Sequence, residues 1–304
     1  MTKSLWIALL LLGLVGTNIS AAQAPCEPPY PAWRVELVGH RGLSPGFPEN
    51  TLAAFRNSIA LGVDVIELDL RGTADGEVVI LHDETLDRTT DGTGPVTALT
   101  LAEIKALDAG SYVDPSFSSE RIPTFGEVLE LARGTGVKLL LDIKLSEVLN
   151  KERIVRLTEQ YGATLDVIVG VRSVADLQEF RELNPNLRTL GFIPEVTDSD
   201  AFVGAGVDMI RLWPDWIRES RDDAACQSDY AARRAAVARG ERQQPGSASC
   251  VVQKVHAQGK PVWATADDAP RAQLDELIRL RVNGILTDLP EVLAALRGDI
   301  EAQR

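Results

Sequence analysis

Side chains that can exchange protons or hold a cation stand at the ends of short apolar runs in the first third of the chain. One run ends at His40, a second alternates with Glu67 and Asp69, and a third ends at His82. Imidazoles titrate near neutral pH and carboxylates bind hard cations. The set therefore predicts acid–base chemistry beside a bound cation.

A later apolar run ends at Asp142 and Lys144. Residues two apart on a strand share a face, so Glu67 and Asp69 point into one space, as do Asp142 and Lys144. Two carboxylates 4 Å apart repel by about 4 kcal/mol at an effective dielectric constant of 20. Protons or a cation must relieve this repulsion, and an all-oxygen set favours Ca²⁺ or Mg²⁺. The alternative is an ion pair with Arg71 or another basic residue.

Strand-like apolar runs alternate with helix-like amphipathic patterns along the chain. The predicted strands are Val35–Gly39, Val63–Leu70, Val137–Ile143, Asp166–Val171, Leu187–Gly191, Val207–Leu212, Pro261–Ala264 and Gly284–Thr287. The predicted helices include Thr51–Leu61, Thr124–Arg133, Glu147–Tyr161, Val174–Leu183 and Ala269–Leu280. This alternation predicts an α/β fold of parallel βα units, and eight strands fit a (β/α)₈ TIM-type barrel of about 250 residues. An open doubly wound sheet is the alternative, but no glycine-rich phosphate fingerprint follows the first strand.

Two stretches of the chain are additional to what a minimal barrel requires. Residues 77–122 predict a small excursion after the second strand, with a hairpin that carries His82 and a short helix at Leu101–Leu107. Residues 218–249 form a polar insertion between the sixth and seventh strands, which we interpret as a solvated helix and loop without a function. Catalytic groups of a barrel gather at the carboxyl ends of its strands, where the residues above fall.

The ordered motifs resemble those of the glycerophosphodiester phosphodiesterase family. They are His40-Arg41-Gly42, Pro48-Glu49-Asn50-Thr51, Glu67-Leu68-Asp69, His82-Asp83, Asp91-Gly92-Thr93-Gly94, Ile122-Pro123-Thr124-Phe125, Asp142-Ile143-Lys144, Val262-Trp263 and Gly284-Ile285-Leu286-Thr287-Asp288. Any one tripeptide is weak evidence, but the ordered set, from about Leu37 to Leu293, is specific.

The resemblance implies that Glu67, Asp69 and Asp142 bind one divalent cation, although the family pattern more often has glutamate at the third position. It also implies a mechanism in which the 2-hydroxyl of a glycerophosphodiester attacks phosphorus, and water then opens the cyclic phosphate to give sn-glycerol 3-phosphate. His40 and His82 are the expected acid–base pair, with His40 assigned to the attacking hydroxyl and His82 to the leaving alcohol.

Four further side chains are expected around the substrate. Arg41 offers a planar charged fork to the phosphate oxygens, and Lys144 adds a point charge. Glu49 is an additional ligand or supports the ligands from behind. Trp263 packs against the glycerol carbons, or else belongs to the core.

Two other functions stay open: a lysophospholipase D or phosphoinositide phosphodiesterase on the same barrel, and a secreted binding protein without activity. The formal net charge of −13 repels nucleic acid and anionic membranes, which need a basic footprint, so the expected partner is a small molecule. The oligomeric state is left open.

The amino terminus predicts export. Lys3 precedes an apolar stretch from Leu5 to Val15, and small residues follow at Ala22 and Ala24, as in a signal peptide spanning residues 1–24. The apolar stretch is shorter than the roughly 20 residues of a membrane span. A single periplasmic or extracellular domain, residues 25–304, is therefore expected, with an uncleaved anchor as the alternative. In an oxidising compartment Cys226 and Cys250 could form a disulfide, which leaves Cys26 over.

Overall fold

The strands form a closed barrel. The computed structural model describes residues 34–42, 45–144, 148–219 and 250–302. In these ranges the strands are β1 (Glu36–Gly39), β2 (Val65–Gly72), β3 (Val78–Ile80), β4 (Lys138–Ile143), β5 (Val167–Val171), β6 (Arg188–Phe192), β7 (Met209–Leu212), β8 (Val262–Thr265) and β9 (Gly284–Thr287). All except β3 pair in parallel, and β1 pairs with both β2 and β9, so that eight strands close the sheet. The predicted (β/α)₈ fold is confirmed.

Helices follow most of the parallel strands. They are α1 (Leu52–Leu61), α2 (Leu101–Ile104), α3 (Phe125–Ala132), α4 (Lys151–Gln160), α5 (Val174–Leu183), α6 (Ser199–Gly204), α7 (Pro214–Glu219), α8 (Cys250–Ala257), α9 (Arg271–Arg279) and α10 (Pro290–Glu301). The predicted start of α4 at Glu147 is wrong. The helix begins at Lys151 because the Asn150 side chain caps it, accepting a hydrogen bond from the Arg153 N–H.

Alternation along each parallel strand builds two cores. On β2, Ile66, Leu68 and Leu70 face the surrounding helices and join the large cluster between helices and barrel. The opposite face, which begins at Val65, points into the barrel. The interior cluster consists of Val38, Val65, Leu140, Ile168, Leu190, Phe192, Met209, Trp263 and Leu286. These side chains fill the barrel, so any functional site must lie above them at an open end.

The excursion after β2 is a small folded unit on the same end of the barrel. Strand β3 runs antiparallel to the end of β2, with Leu70 opposite Ile80, and His82 follows directly. A separate apolar cluster holds the excursion together; it comprises Val79, Leu81, Leu86, Val96, Ile104, Ala109 and Ile122. The predicted hairpin with its histidine is therefore present, and the short helix ends at Ile104 rather than Leu107.

Several predictions concern residues outside the described ranges. These are the signal peptide at residues 1–24, most of the polar insertion, Cys26 and Cys226. Cys250 is disulfide-bonded, and its predicted pairing with Cys226 stays a prediction. Within the described ranges, no helix is both long enough and apolar enough to span a bilayer.

Candidate active site

The carboxyl ends of the strands surround a cavity of about 240 Å³. Its lining comprises His40, Arg41, Glu67, Asp69, His82, Asp142, Lys144, Arg172, Phe192, Arg211, Trp213, Thr265, Asp267 and Leu286. Most of these residues continue the inward-facing alternation of a strand. On β2, for example, Val65 belongs to the interior core, and Glu67 and Asp69 follow on the same face. The structure thus brings both predicted histidines and all three predicted carboxylates to one cavity.

Asp69 lies at the centre of the acidic group. It is opposite Asp142 in the register of β2 with β4, and only 1% of it is exposed. Its Oδ2 accepts a hydrogen bond from Asn50 Nδ2 at 2.8 Å, and its Oδ1 lies 2.9 Å from Lys144 Nζ. Asn50 takes a left-handed backbone conformation (φ 56°), which asparagine tolerates better than most residues. That conformation lets the loop after β1 hold a β2 carboxylate.

Glu67 is buried with little compensating charge. Its Oε2 accepts a hydrogen bond from the backbone N–H of Arg41 at 2.8 Å and lies 4.0 Å from His40 Nε2. Burial, and after it the negative charge of Asp69, raises the pKa of Glu67 to about 8; His40 and the Arg41 N–H act in the opposite direction. A positive charge placed beside Glu67 would therefore be strongly favourable.

The negative charge of Asp142, by contrast, is compensated by two cationic side chains. Its two oxygens lie 2.8 Å from Lys144 Nζ and 2.6 Å from Arg172 Nη1. Burial alone would raise its pKa, but these two cations outweigh burial and hold the pKa of Asp142 at about 2. Arg172 follows the end of β5 and was not predicted.

The three carboxylates fit a divalent cation. One oxygen from each of Glu67, Asp69 and Asp142 lies within 4.8 Å of the others, and all three residues are buried or nearly so. Oxygen donors suit a hard ion such as Ca²⁺ or Mg²⁺. Lys144 bridges Asp69 and Asp142, whereas no lysine or arginine of the described chain pairs with the Glu67 carboxylate. Arg71, the predicted ion-pair alternative, instead donates to the carbonyl of His82.

The orientation of His40 is fixed by Asp288, the residue directly after the last strand. Its Nδ1 hydrogen-bonds Asp288 Oδ1 at 2.5 Å, and Asp267 lies 3.5 Å from the same nitrogen. This leaves Nε2 directed toward Glu67. Burial disfavours the imidazolium, but the Asp288 hydrogen bond and the charges of Glu67 and Asp288 raise the pKa of His40 to about 9. Asp288 thus fixes both the orientation and the charge of this ring.

His82 is a more exposed counterpart on the excursion. Its Nδ1 hydrogen-bonds Asp83 at 2.7 Å, and 33% of its side chain is exposed. Arg88 donates to Asp83 and, with His82, holds the pKa of that carboxyl well below its usual range. The two imidazoles therefore differ: His40 is enclosed within the barrel mouth and His82 faces the solvent side.

Arg41 lines the cavity, and Glu49 lies next to it outside the lining. Arg41 Nη1 donates to Glu49 at 2.9 Å, and its Nε lies 3.6 Å from Asp69. Glu49 also accepts from Arg88 at 2.7 Å, and it belongs neither to the acidic group nor to the cavity lining. Glu49 therefore connects the barrel loop to the excursion, and Arg41 reaches the cavity with its charge already paired. Gly42 makes this approach possible, since a Cβ there would lie 2.4 Å from Phe55 Cδ1.

The structure does not support a substrate contact for Trp263. The residue is 1% exposed and lies in the interior cluster, packed against Gly284. Thr265, two positions later on the same face, reaches the cavity instead. The tryptophan that lines the cavity is Trp213, which is 40% exposed.

The sequence analysis assigned no role to four charged residues of the site: Arg172, Arg211, Asp267 and Asp288. Each stands two positions beyond an inward-facing residue, at or just after the end of β5, β7, β8 and β9 respectively. The alternation that identified Glu67 and Asp69 could have found them had it been extended to every strand.

Comparisons with known proteins place the chain in a family. The model of the glycerophosphoryl diester phosphodiesterase family matches residues 40–292. A glycerophosphodiester phosphodiesterase of Bacillus subtilis is 31% identical over 225 residues, which cover 68% of this chain and 75% of that protein. One from Caldanaerobacter subterraneus is 41% identical over 155 residues, 50% of this chain and 64% of that protein. The match thus spans just under two thirds of the latter relative.

Solved structures show the same barrel. A glycerophosphodiester phosphodiesterase from Agrobacterium tumefaciens has a TM-score of 0.68 at 25% identity, over 86% of this chain and 99% of that one. A phosphodiesterase from Oleispira antarctica, in complex with the product sn-glycerol-3-phosphate, has a TM-score of 0.70 at 24% identity, over 86% and 96% of the respective chains.

Proposed function

Because the chain belongs to the glycerophosphoryl diester phosphodiesterase family, we propose that it hydrolyses glycerophosphodiesters to sn-glycerol 3-phosphate and an alcohol. The observation that carries the proposal is the cavity in which an acidic group and two imidazoles meet. The complex of the Oleispira antarctica phosphodiesterase with its product sn-glycerol-3-phosphate supports the substrate class.

The proposed cofactor is one divalent cation, Ca²⁺ or Mg²⁺, held by Glu67, Asp69 and Asp142. Bound there, the cation supplies Lewis-acid charge to the phosphate and to the attacking hydroxyl. Glu67 favours this arrangement most, because it is the buried carboxylate whose pKa burial and Asp69 raise to about 8. Lys144 keeps Asp69 and Asp142 oriented, at 2.9 and 2.8 Å.

The two histidines divide the proton transfers by position. His40 lies within 4.0 Å of Glu67, so its Nε2 is near the place where the glycerol 2-hydroxyl is held, and it removes that proton as the hydroxyl attacks phosphorus. His82 is on the solvent side and protonates the departing alcohol. In the second step the roles reverse: His82 activates water, which opens the cyclic phosphate, and His40 returns the proton to the 2-oxygen.

The test is a product assay with glycerophosphocholine, glycerophosphoethanolamine, glycerophosphoglycerol and a lysophospholipid, each with and without chelator. We expect sn-glycerol 3-phosphate from the first three substrates, its loss with chelator, and its recovery on addition of Ca²⁺ or Mg²⁺. Turnover of the lysophospholipid alone would favour the lipid-directed alternative. Turnover of none, in metal-replete protein, would contradict the proposal and favour a binding protein.

Two variants test the acid–base assignment. His40→Ala and His82→Ala should each lower kcat by about 10²- to 10⁴-fold, the usual contribution of one positioned acid or base. His256→Ala is the matched control, since His256 lies on α8 and hydrogen-bonds Asn283 away from the cavity. Unchanged turnover in both cavity variants would remove the assignment.

Export to the periplasm or the extracellular space is a separate proposal, tested by finding the mature amino terminus after Ala24.

A further inference from the structure

Four arginine and lysine side chains line the cavity, and three of them are already paired with carboxylates. Arg41 pairs with Glu49, Lys144 with Asp69 and Asp142, and Arg172 with Asp142. The fourth is Arg211. It is only 8% exposed, and in the described chain neither its Nε nor its Nη1 has a hydrogen-bond partner.

Aromatic rings hold Arg211 in place. Its guanidinium carbon lies 4.0 Å from the ring centroid of Trp213 and 5.1 Å from that of Phe192. Phe192 on β6 is its neighbour in the strand register. Ring contacts of this kind engage the π face of an aromatic side chain and use none of the N–H donors. The rings therefore position the charge and leave its donors available to a ligand.

An unpaired charge in this position is unfavourable without a ligand. Burial, and next the nearby Arg172, lowers the pKa of Arg211 to about 10, so the side chain stays charged at neutral pH. Burying a charge without a counter-charge destabilises a fold, and an apolar side chain of similar size would fill the same space at less cost. A purely structural role thus explains the position poorly, whereas an anion bound in the cavity would satisfy both donors.

We infer that Arg211 binds the phosphate group of substrate and product in this cavity. The inference rests on the proposed function, which supplies the anion. Arginine offers a planar set of donors that matches two phosphate oxygens at once. Because negative charge on the phosphoryl oxygens grows as the hydroxyl attacks, Arg211 stabilises the transition state more than the bound substrate.

The experiment compares Arg211→Met and Arg211→Lys with wild type, all loaded with metal. Binding of sn-glycerol 3-phosphate and of inorganic phosphate is measured by calorimetry, alongside the thermal midpoint and kcat/KM. Arg211→Met should weaken both ligands by about 10- to 100-fold, the worth of a hydrogen bond to a charged group. Its thermal midpoint without ligand should equal or exceed that of wild type, and Arg211→Lys should lie between the two for binding.

Arg218→Met is the matched control. Arg218 lies on α7, outside the cavity, and pairs with Asp215 and Glu276 at 3.1 Å. The Arg218→Met variant should be somewhat less stable than wild type and should bind both ligands with wild-type affinity. If Arg211→Met binds both ligands within twofold of wild type, or has a lower midpoint with unchanged affinity, the inference is overturned. If Arg211→Met does not fold, wild-type affinity in Arg211→Lys overturns it and weakened affinity supports it.

Failure of the proposed function would look different. Wild type that turns over no glycerophosphodiester, yet binds phosphate through Arg211, would contradict the function and support the anion site. Wild type that turns over its substrates while Arg211→Met matches it in ligand affinity would leave the function standing and remove the role of Arg211.

Discussion

The hydrogen bond from His40 to Asp288 allows a sharp test of the proton transfers. The two side chains meet at 2.5 Å, and Asp288→Asn keeps the shape of the acid while it removes the charge. An opposite charge at this range shifts a pKa by about 1 to 3 units. The pKa of His40, which Asp288 and Glu67 raise to about 9, should fall by that amount. A bound cation lowers the pKa in both proteins, so the difference between them persists.

The assay is the pH profile of kcat/KM for the best glycerophosphodiester substrate. If His40 is the base, its neutral form is the active one, and the acidic limb of the profile reports its pKa. The limb should move to lower pH by about 1 to 3 units in Asp288→Asn. On the plateau the rate should fall about 10²-fold, because the base is weaker and its ring is no longer held. The loss of kcat/KM in Asp288→Asn relative to wild type is therefore smaller at pH 6 than at pH 9.

Asp267→Asn is the control for this experiment. Asp267 lies 3.5 Å from the same nitrogen of His40, but 51% of its side chain is exposed, so solvent screens its charge. The acidic limb of the pH profile should move much less in Asp267→Asn than in Asp288→Asn. An acidic limb that stays in place in Asp288→Asn, with kcat/KM within twofold of wild type, would refute the assigned role of His40.

Three further outcomes are expected. In chelator, the unfolding free energy of wild type should fall as the pH rises from about 4.5 to 8, by up to about 1.4 kcal/mol per pH unit. The cause is that folded Glu67 keeps a proton that the unfolded chain releases in this range. Urea titrations of Glu67→Gln at pH 5 and pH 8 should lack this contribution. Gly42→Ala should destabilise the fold by about 1 to 3 kcal/mol and reduce turnover, since φ is 67° and the new methyl meets Phe55; equal stability in the same titrations would contradict this. Thr124→Ala should cost about 1 kcal/mol through the lost cap of α3 and leave kcat unchanged; a change in kcat would count against a purely structural role.

The sequence alone predicts the barrel and the acidic group because both depend on periodicity. Apolar runs of strand length alternate with helical patterns, and Glu67 and Asp69 keep the phase of β2. A two-residue repeat specifies the face of the sheet, and the carboxyl end of a strand specifies the end of the barrel. These two rules suffice to bring Glu67, Asp69 and Asp142 together.

The partners of each charge could not be predicted in the same way. Asp142 pairs with Arg172 from the next strand, and Glu49 pairs with Arg88 from the excursion, 39 positions away. Such pairs depend on which side chains extend far enough across the barrel mouth to meet, and the periodicity of the sequence contains no information about this. For Trp263 the sequence left a substrate contact and a core position both open, because the motif marks only the strand end; the structure places the indole in the interior core.

The proposed mechanism depends on a divalent cation held by the carboxylates of Glu67, Asp69 and Asp142. The most direct measurement is an anomalous difference map from crystals grown with Mn²⁺, a stand-in for Mg²⁺. We expect one peak within bonding distance of these three side chains. A peak among His40, Asp267 and Asp288 instead, the other described group whose geometry could hold an ion, or no peak at either group, would contradict it.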